Sequence, residues 1–166
     1  TERRDDLGLE PLADELRRID ELTEPAQLAP LFGRWDRSGL GSPLGTYVHQ
    51  DNMDSSRYVL DVRQSGLGLP DRDYYLDDKF AESLAAYREH IARMWQLAGW
   101  GDAAQAANVA DRVVALETRI AEAQWDKVRN RDPQATYNLM SLAEFGDLVP
   151  GLDTSAFLAA VGVADK

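Results

Sequence analysis

Apolar residues set three or four positions apart, with charges between them, mark out helices along most of this chain. Leu9, Leu12, Leu16 and Ile19 predict one amphipathic helix over about residues 8–22. Thr23 and Glu24 ahead of Pro25 suit a helix start, and Leu28, Leu31, Phe32 and Trp35 give the next helix its apolar side. Pro30 falls inside that pattern. It is expected to kink or restart the helix, because proline has no N–H and crowds the preceding turn. Phe80, Leu84, Tyr87, Ile91, Met94 and Ala98 line a further helix, with Asp77 or Asp78 as its cap and Gly99 and Gly101 at its end. Asp102 caps the longest one, about residues 103–127, whose face reads Ala106, Val109, Val113, Leu116, Ile120 and Ala123. Ser141 and Glu144 have capping-box spacing for a short helix to about Val149, and Thr154 to Val161 form the last.

One region follows a different period. Thr46–Gln50 and Tyr58–Arg63 are rich in β-branched and aromatic residues, and the polar stretch from Asp51 to Ser56 is turn-prone. These predict a two-stranded antiparallel hairpin, which is marginal in water unless it packs on something else. After it, Gln64 to Leu76 contains two glycines and a proline, and no regular element is expected there. The fold class is therefore mainly α: about six helices with one small hairpin, read as a single domain over residues 1–166.

Composition narrows the functions open to such a chain. The net charge of −11, from 29 acidic and 18 basic residues, argues against nucleic acid and against an anionic membrane surface. With 44% hydrophobic and 28% charged residues the chain reads as folded and soluble. It has no cysteine, which excludes disulfides, a thiolate nucleophile and cysteine-ligated zinc. No apolar run is long enough to span a bilayer. The polar start at Thr1, without Met, is what a processed or truncated chain would show.

No familiar catalytic constellation is complete. A zinc-hydrolase helix needs two histidines one turn apart with a carboxylate between them. Here Met94 stands where a partner for His90 would fall, so His90 reads as a packed or half-exposed side chain, and His49 in the hairpin likewise. Asp51, Asn52 and Asp54 suggest a calcium loop, but Met53, Ser55, Ser56 and Val62 occupy positions that such a loop reserves for ligands and its glycine. Gly66-Leu67-Gly68 lacks the third glycine of a dinucleotide fingerprint, since position 71 is Asp71. Asp71 and Asp73 are either a carboxylate pair for acid–base work or local ion-pair partners of Arg72 between them. Trp35, Trp95, Trp100 and Trp125 read as core aromatics. Catalytic, cofactor-binding and metal-binding residues are accordingly expected to be absent from this chain.

Two stretches carry a resemblance. The thirteen residues from Gln64 to Leu76, reading Gln-Ser-Gly-Leu-Gly-Leu-Pro-Asp-Arg-Asp-Tyr-Tyr-Leu, look like a signature of the neprilysin-like (M13) zinc endopeptidases. Leu116-Glu117 with Ile120-Ala121, then Arg131-Asp132, then Tyr137-Asn138 and Met140, resemble the same family in order and spacing. The likeness runs from about Leu12 to Val163 and implies the N-terminal helical lobe of such an enzyme. Zinc would then sit in the other lobe of the parent, on a His-Glu-x-x-His helix and a downstream Glu, and this chain contains neither. The resemblance implies a non-catalytic segment that walls the substrate cavity and limits access. Its partners would be the catalytic lobe of the same polypeptide and the parent's peptide substrates, in an extracytoplasmic setting. Within the signature, Pro70 is expected to fix a turn, Arg72 to pair with a carboxylate, and Tyr74 and Tyr75 to anchor the loop on helices. Arg131 and Asp132 would do the same before Tyr137. The competing reading is a free-standing helical interaction module without enzymatic activity.

Overall fold

The computed structural model describes residues 7–163. In chain order its elements are α1 (Ala13–Asp20), α2 (Leu28–Arg37), β1 (Leu44–Gln50), β2 (Tyr58–Gln64), α3 (Asp73–Leu76), α4 (Ala81–Leu97), α5 (Ala103–Ala123), α6 (Leu142–Leu148) and α7 (Thr154–Val161). Among the described residues this is a mainly helical chain with one antiparallel hairpin, as the periodicity predicts. The residues group into two compact units. One takes the chain up to Leu22 and again from Gly68 to Lys127; the other takes Thr23–Leu67 and the chain from Val128 onward.

In the second unit, α2 packs on α7. Ala29, Phe157 and Leu158 form its buried centre, with Phe32, Leu44, Leu60 and Phe145 packed around them. Gly33 makes the close approach possible: a Cβ there would lie 2.4 Å from the Phe157 carbonyl oxygen and 2.9 Å from Ala160 Cβ. Pro30 does not kink α2. It is the third residue of the helix, following a 3-10 turn over Pro25–Gln27, so its missing N–H lies in the first turn, where no helical acceptor exists. Gln27 closes that entry by accepting the N–H groups of Thr23 (2.7 Å) and Glu24 (2.9 Å). The hairpin pairs Leu44 with Gln64 through Gln50 with Tyr58, longer at its open end than the propensities predict. Asp153 caps α7 on the Ala156 N–H (2.9 Å), and Gly162, at φ +100°, ends it with Val163 N–H bonded back to Leu158.

In the first unit, α4 and α5 form a helical hairpin whose connection turns at Gly99, φ +73°. Asp102 and Gln105 build a reciprocal capping box at the start of α5, with both bonds at 2.9 Å. Arg88 on α4 holds Asp111 on α5 in a two-point ion pair. The packed face of α5 is not the predicted one. Ala106, Ala110 and Ala121 are buried, whereas Leu116 is 55% exposed and Ala123 is exposed. The stripe is rotated so that Glu117, spaced seven residues from Ala110 and four from Ala121, lies on the inward side. Small residues win here because they let the helices approach more closely than leucine would. The predicted apolar face of α1 also differs: Leu12 and Ile19 are exposed, and within the predicted span the α-helix covers Ala13–Asp20, behind a 3-10 turn at Glu10–Leu12.

Candidate functional site

The signature stretch is more ordered than its glycines and proline suggest. Asp71 accepts the Asp73 N–H (2.9 Å), and this side-chain turn starts the one-turn helix α3, where no regular element was expected. The turn delivers two tyrosines to different places. Tyr74 stacks on Phe80 with ring centroids 4.1 Å apart. Tyr75 is buried, and its hydroxyl donates to Glu117 on α5 at 2.6 Å while accepting the Leu69 N–H at 3.0 Å. Tyr87 on α4 donates to the other oxygen of Glu117 at 3.1 Å. One carboxylate therefore ties together the loop, α4 and α5.

Burial and the Glu117 carboxylate keep both phenols protonated. Burial, then the bond to Glu117, pushes the Tyr75 phenol well above its ordinary range. Burial and the neighbouring Glu117 charge push Tyr87 up to about 12. Both hydroxyls are proton donors at neutral pH, and neither is poised as a base. Gly68 completes the arrangement, since a Cβ there would fall 1.9 Å from the Tyr87 hydroxyl.

Arg72 departs from expectation. Its Nε donates to the Ala121 backbone carbonyl at 3.0 Å, and no carboxylate is its partner in the hydrogen bonds of this stretch. The carboxylates beside it turn to Lys127, which lies 3.0 Å from Asp73 and 4.0 Å from Asp71. Asp71 and Asp73 thus form a turn and an ion pair with Lys127.

A second clasp sits at the hairpin tip. The Asp51 side chain is fully inaccessible. It accepts Met53 N–H (2.8 Å), Arg57 Nε (2.7 Å) and the Tyr137 hydroxyl (3.2 Å). The Met53 N–H first, and then Arg57 and Tyr137, hold its carboxyl below the usual range. This ties the loop to the stretch around Tyr137, where Asp132 accepts Gln134 and Ala135 N–H groups in its own turn. Of the expected pair before Tyr137, Asp132 does the clamping.

The remaining candidates stay apart. His49 stacks on Tyr47 (5.0 Å) and lies 3.4 Å from Asp61 across the strands, with Arg63 over the Tyr47 ring at 4.2 Å. His90 is exposed on α4. Trp95 meets the edge of Trp100 at 5.0 Å in a shallow groove with Gln105, Asn108 and Val109, and its indole N–H is buried without a partner. None of Trp35, Trp95, Trp100 and Trp125 is fully buried. Among the described residues no three His, Asp or Glu side chains converge as a metal site would require. No described helix is long and apolar enough to cross a membrane.

Comparison with known proteins places the chain in a family. The family model Peptidase_M13_N, described as Peptidase family M13, matches residues 1–166. Endothelin-converting enzyme 1 of Rattus norvegicus is 33% identical over 116 residues, covering 69% of this chain and 15% of that protein. The crystal structure of Mycobacterium tuberculosis zinc metalloprotease Zmp1 with an inhibitor superposes with a TM-score of 0.90 at 43% identity, over 95% of this chain and 24% of that one. The open state of the same enzyme gives the same values. The chain thus spans about a quarter or less of the proteins it matches.

Proposed function

The chain belongs to peptidase family M13, in its N-terminal region, and on that premise we propose that it is a non-catalytic segment of a zinc-dependent endopeptidase that cleaves peptides. In this reading it walls the substrate cavity and limits what can enter. Its partner is the catalytic lobe of the same polypeptide, which holds the zinc, and the parent works outside the cytoplasm. The observation that carries the reading is the use of the signature residues. Tyr75 and Tyr87 both donate to Glu117, Tyr75 also accepts the Leu69 N–H, and Arg72 Nε donates to the Ala121 carbonyl, which supports a bracing role for the signature. In this reading the hydrolytic step belongs to the catalytic lobe and to no residue of this chain.

The test is a quenched fluorescent peptide offered with zinc to two samples. The polypeptide encoded by the full reading frame is expected to turn it over, and a chelator to abolish that turnover. The 166-residue chain alone is expected to show none. Chelator-sensitive turnover that co-purifies with this chain alone would sink the proposal. A reading frame without a His-Glu-x-x-His helix would instead favour an interaction module.

A further inference from the structure

Residues of an antiparallel strand turn their backbone polar groups alternately toward the partner strand and away from it. Two bonds fix the phase of this hairpin: Asp51 N–H to Arg57 C=O (3.0 Å) and Ser65 N–H to Pro43 C=O (3.1 Å). In the observed register the odd-numbered residues therefore bond across the hairpin, and the even-numbered ones point their N–H and C=O groups outward. The two outer edges are treated differently. On β1, the Thr46 N–H is taken by Asp36 at 3.1 Å, and the Leu44 carbonyl accepts the Ser42 hydroxyl at 2.5 Å. On β2, no described residue bonds to the outward backbone groups of Tyr58, Leu60 or Val62.

We propose that the outer edge of β2, at Tyr58, Leu60 and Val62, pairs with a third strand supplied by the rest of the parent polypeptide. The inference rests on the chain being part of a larger M13 protein. A bare edge invites pairing with any extended chain, and native proteins block or cover such edges. Here β1 is blocked at Leu44 and Thr46 by side chains of its own unit, and β2 has no such block at Tyr58, Leu60 or Val62. A two-stranded sheet also gains most from a third strand. Leu60 packs against the core around Phe157, so an added strand would set its own alternate apolar side chains beside that layer. The occupant is of the same polypeptide for two reasons. The matched Zmp1 chains are about four times as long as this segment, which covers 24% of them, and a tethered strand acts at high local concentration. A second copy would have to bring together two chains that each carry a charge of −11.

Single-residue amide hydrogen exchange on the intact polypeptide tests this. Val48 is the internal reference, because its N–H points outward from β1 beyond the Asp36 cap and its side chain is exposed. The Leu60 and Val62 amides are expected to exchange at least about a hundredfold more slowly than Val48. They should also show main-chain contacts to residues outside this segment. Exchange at the Val48 rate, or protection without such contacts, overturns the proposal. Protection that rises with protein concentration overturns it in favour of a second copy. Peptide turnover in the same sample reports separately on the peptidase reading, so the two can fail independently.

Discussion

The Tyr75 hydroxyl donates to the Glu117 carboxylate across 2.6 Å, joining positions 42 residues apart. The bond is partly shielded from water, and the same hydroxyl accepts the Leu69 N–H, so removing it strands two groups at once. Tyr75→Phe is expected to cost about 1–3 kcal/mol, the penalty of leaving such groups unpaired. Tyr87→Phe should cost about 1 kcal/mol, since it removes one longer bond and leaves Tyr75 in place. Urea unfolding of the single and double variants checks this. Effects that simply add would show that the two tyrosines do not share Glu117.

The same tyrosines predict an alkaline limb of instability. A phenol whose folded pKa is raised contributes stability that is complete below about pH 10, its unfolded value, and is lost as pH rises toward the folded one. For Tyr87 that window runs up to about 12. Tyr47, raised mainly by its bond to Asp61, joins Tyr75 and Tyr87, so three of the six tyrosines should ionise late. A tyrosinate absorbance titration reads this directly. Six normal tyrosines would refute the buried clasp.

Acid should act through Asp51. Its carboxyl is held below the usual range, so its contribution is present above about pH 4 and disappears as pH falls through the lower folded value. Asp51→Asn is expected to make the acid limb of the stability curve shallower and to loosen the hairpin tip. Thermal unfolding between neutral and acid pH measures the slope. An unchanged slope would remove Asp51 from this role.

Gly33 makes a prediction of opposite sign to its helix propensity. Alanine in a helix interior gains about 1 kcal/mol over glycine. At Gly33 the added methyl meets the Phe157 backbone carbonyl at 2.4 Å, and backbone cannot swing aside as a side-chain tip can. Overpacking costs about 1–3 kcal/mol and should win, so Gly33→Ala destabilises the second unit. A stabilised Gly33→Ala would mean that α2 and α7 do not approach this closely.

Helix α7 was legible residue for residue, because Thr154–Val161 has a cap at one end, glycine at the other and apolar residues between. The hairpin was legible too, through its period and its polar loop. Helix α3 was not, since Gly66, Gly68 and Pro70 advertise a loop while the Asp71 turn that starts the helix is a three-dimensional fact. Glu117 stands in the stretch that carries the resemblance, but its bonds to two tyrosines were not legible, for a related reason. A lone carboxylate next to Leu116 reads as the wet side of a helix, and its partners lie in segments far away in sequence. The one available signal was the phase of Ala106, Ala110 and Ala121, which points the small-residue stripe through position 117.

The Arg72 contact has a lopsided mutational meaning. Its acceptor is the main-chain oxygen of residue 121, and every amino acid supplies that oxygen. Position 121 is fully buried and needs only to stay small, so serine or glycine could replace the alanine there and still receive the guanidinium. Position 72 has no such latitude: lysine would offer a differently placed ammonium in place of Nε. Drift is thus permitted on one side of the bond and arrested on the other, and the arginine's importance cannot be inferred by looking for a matching side chain.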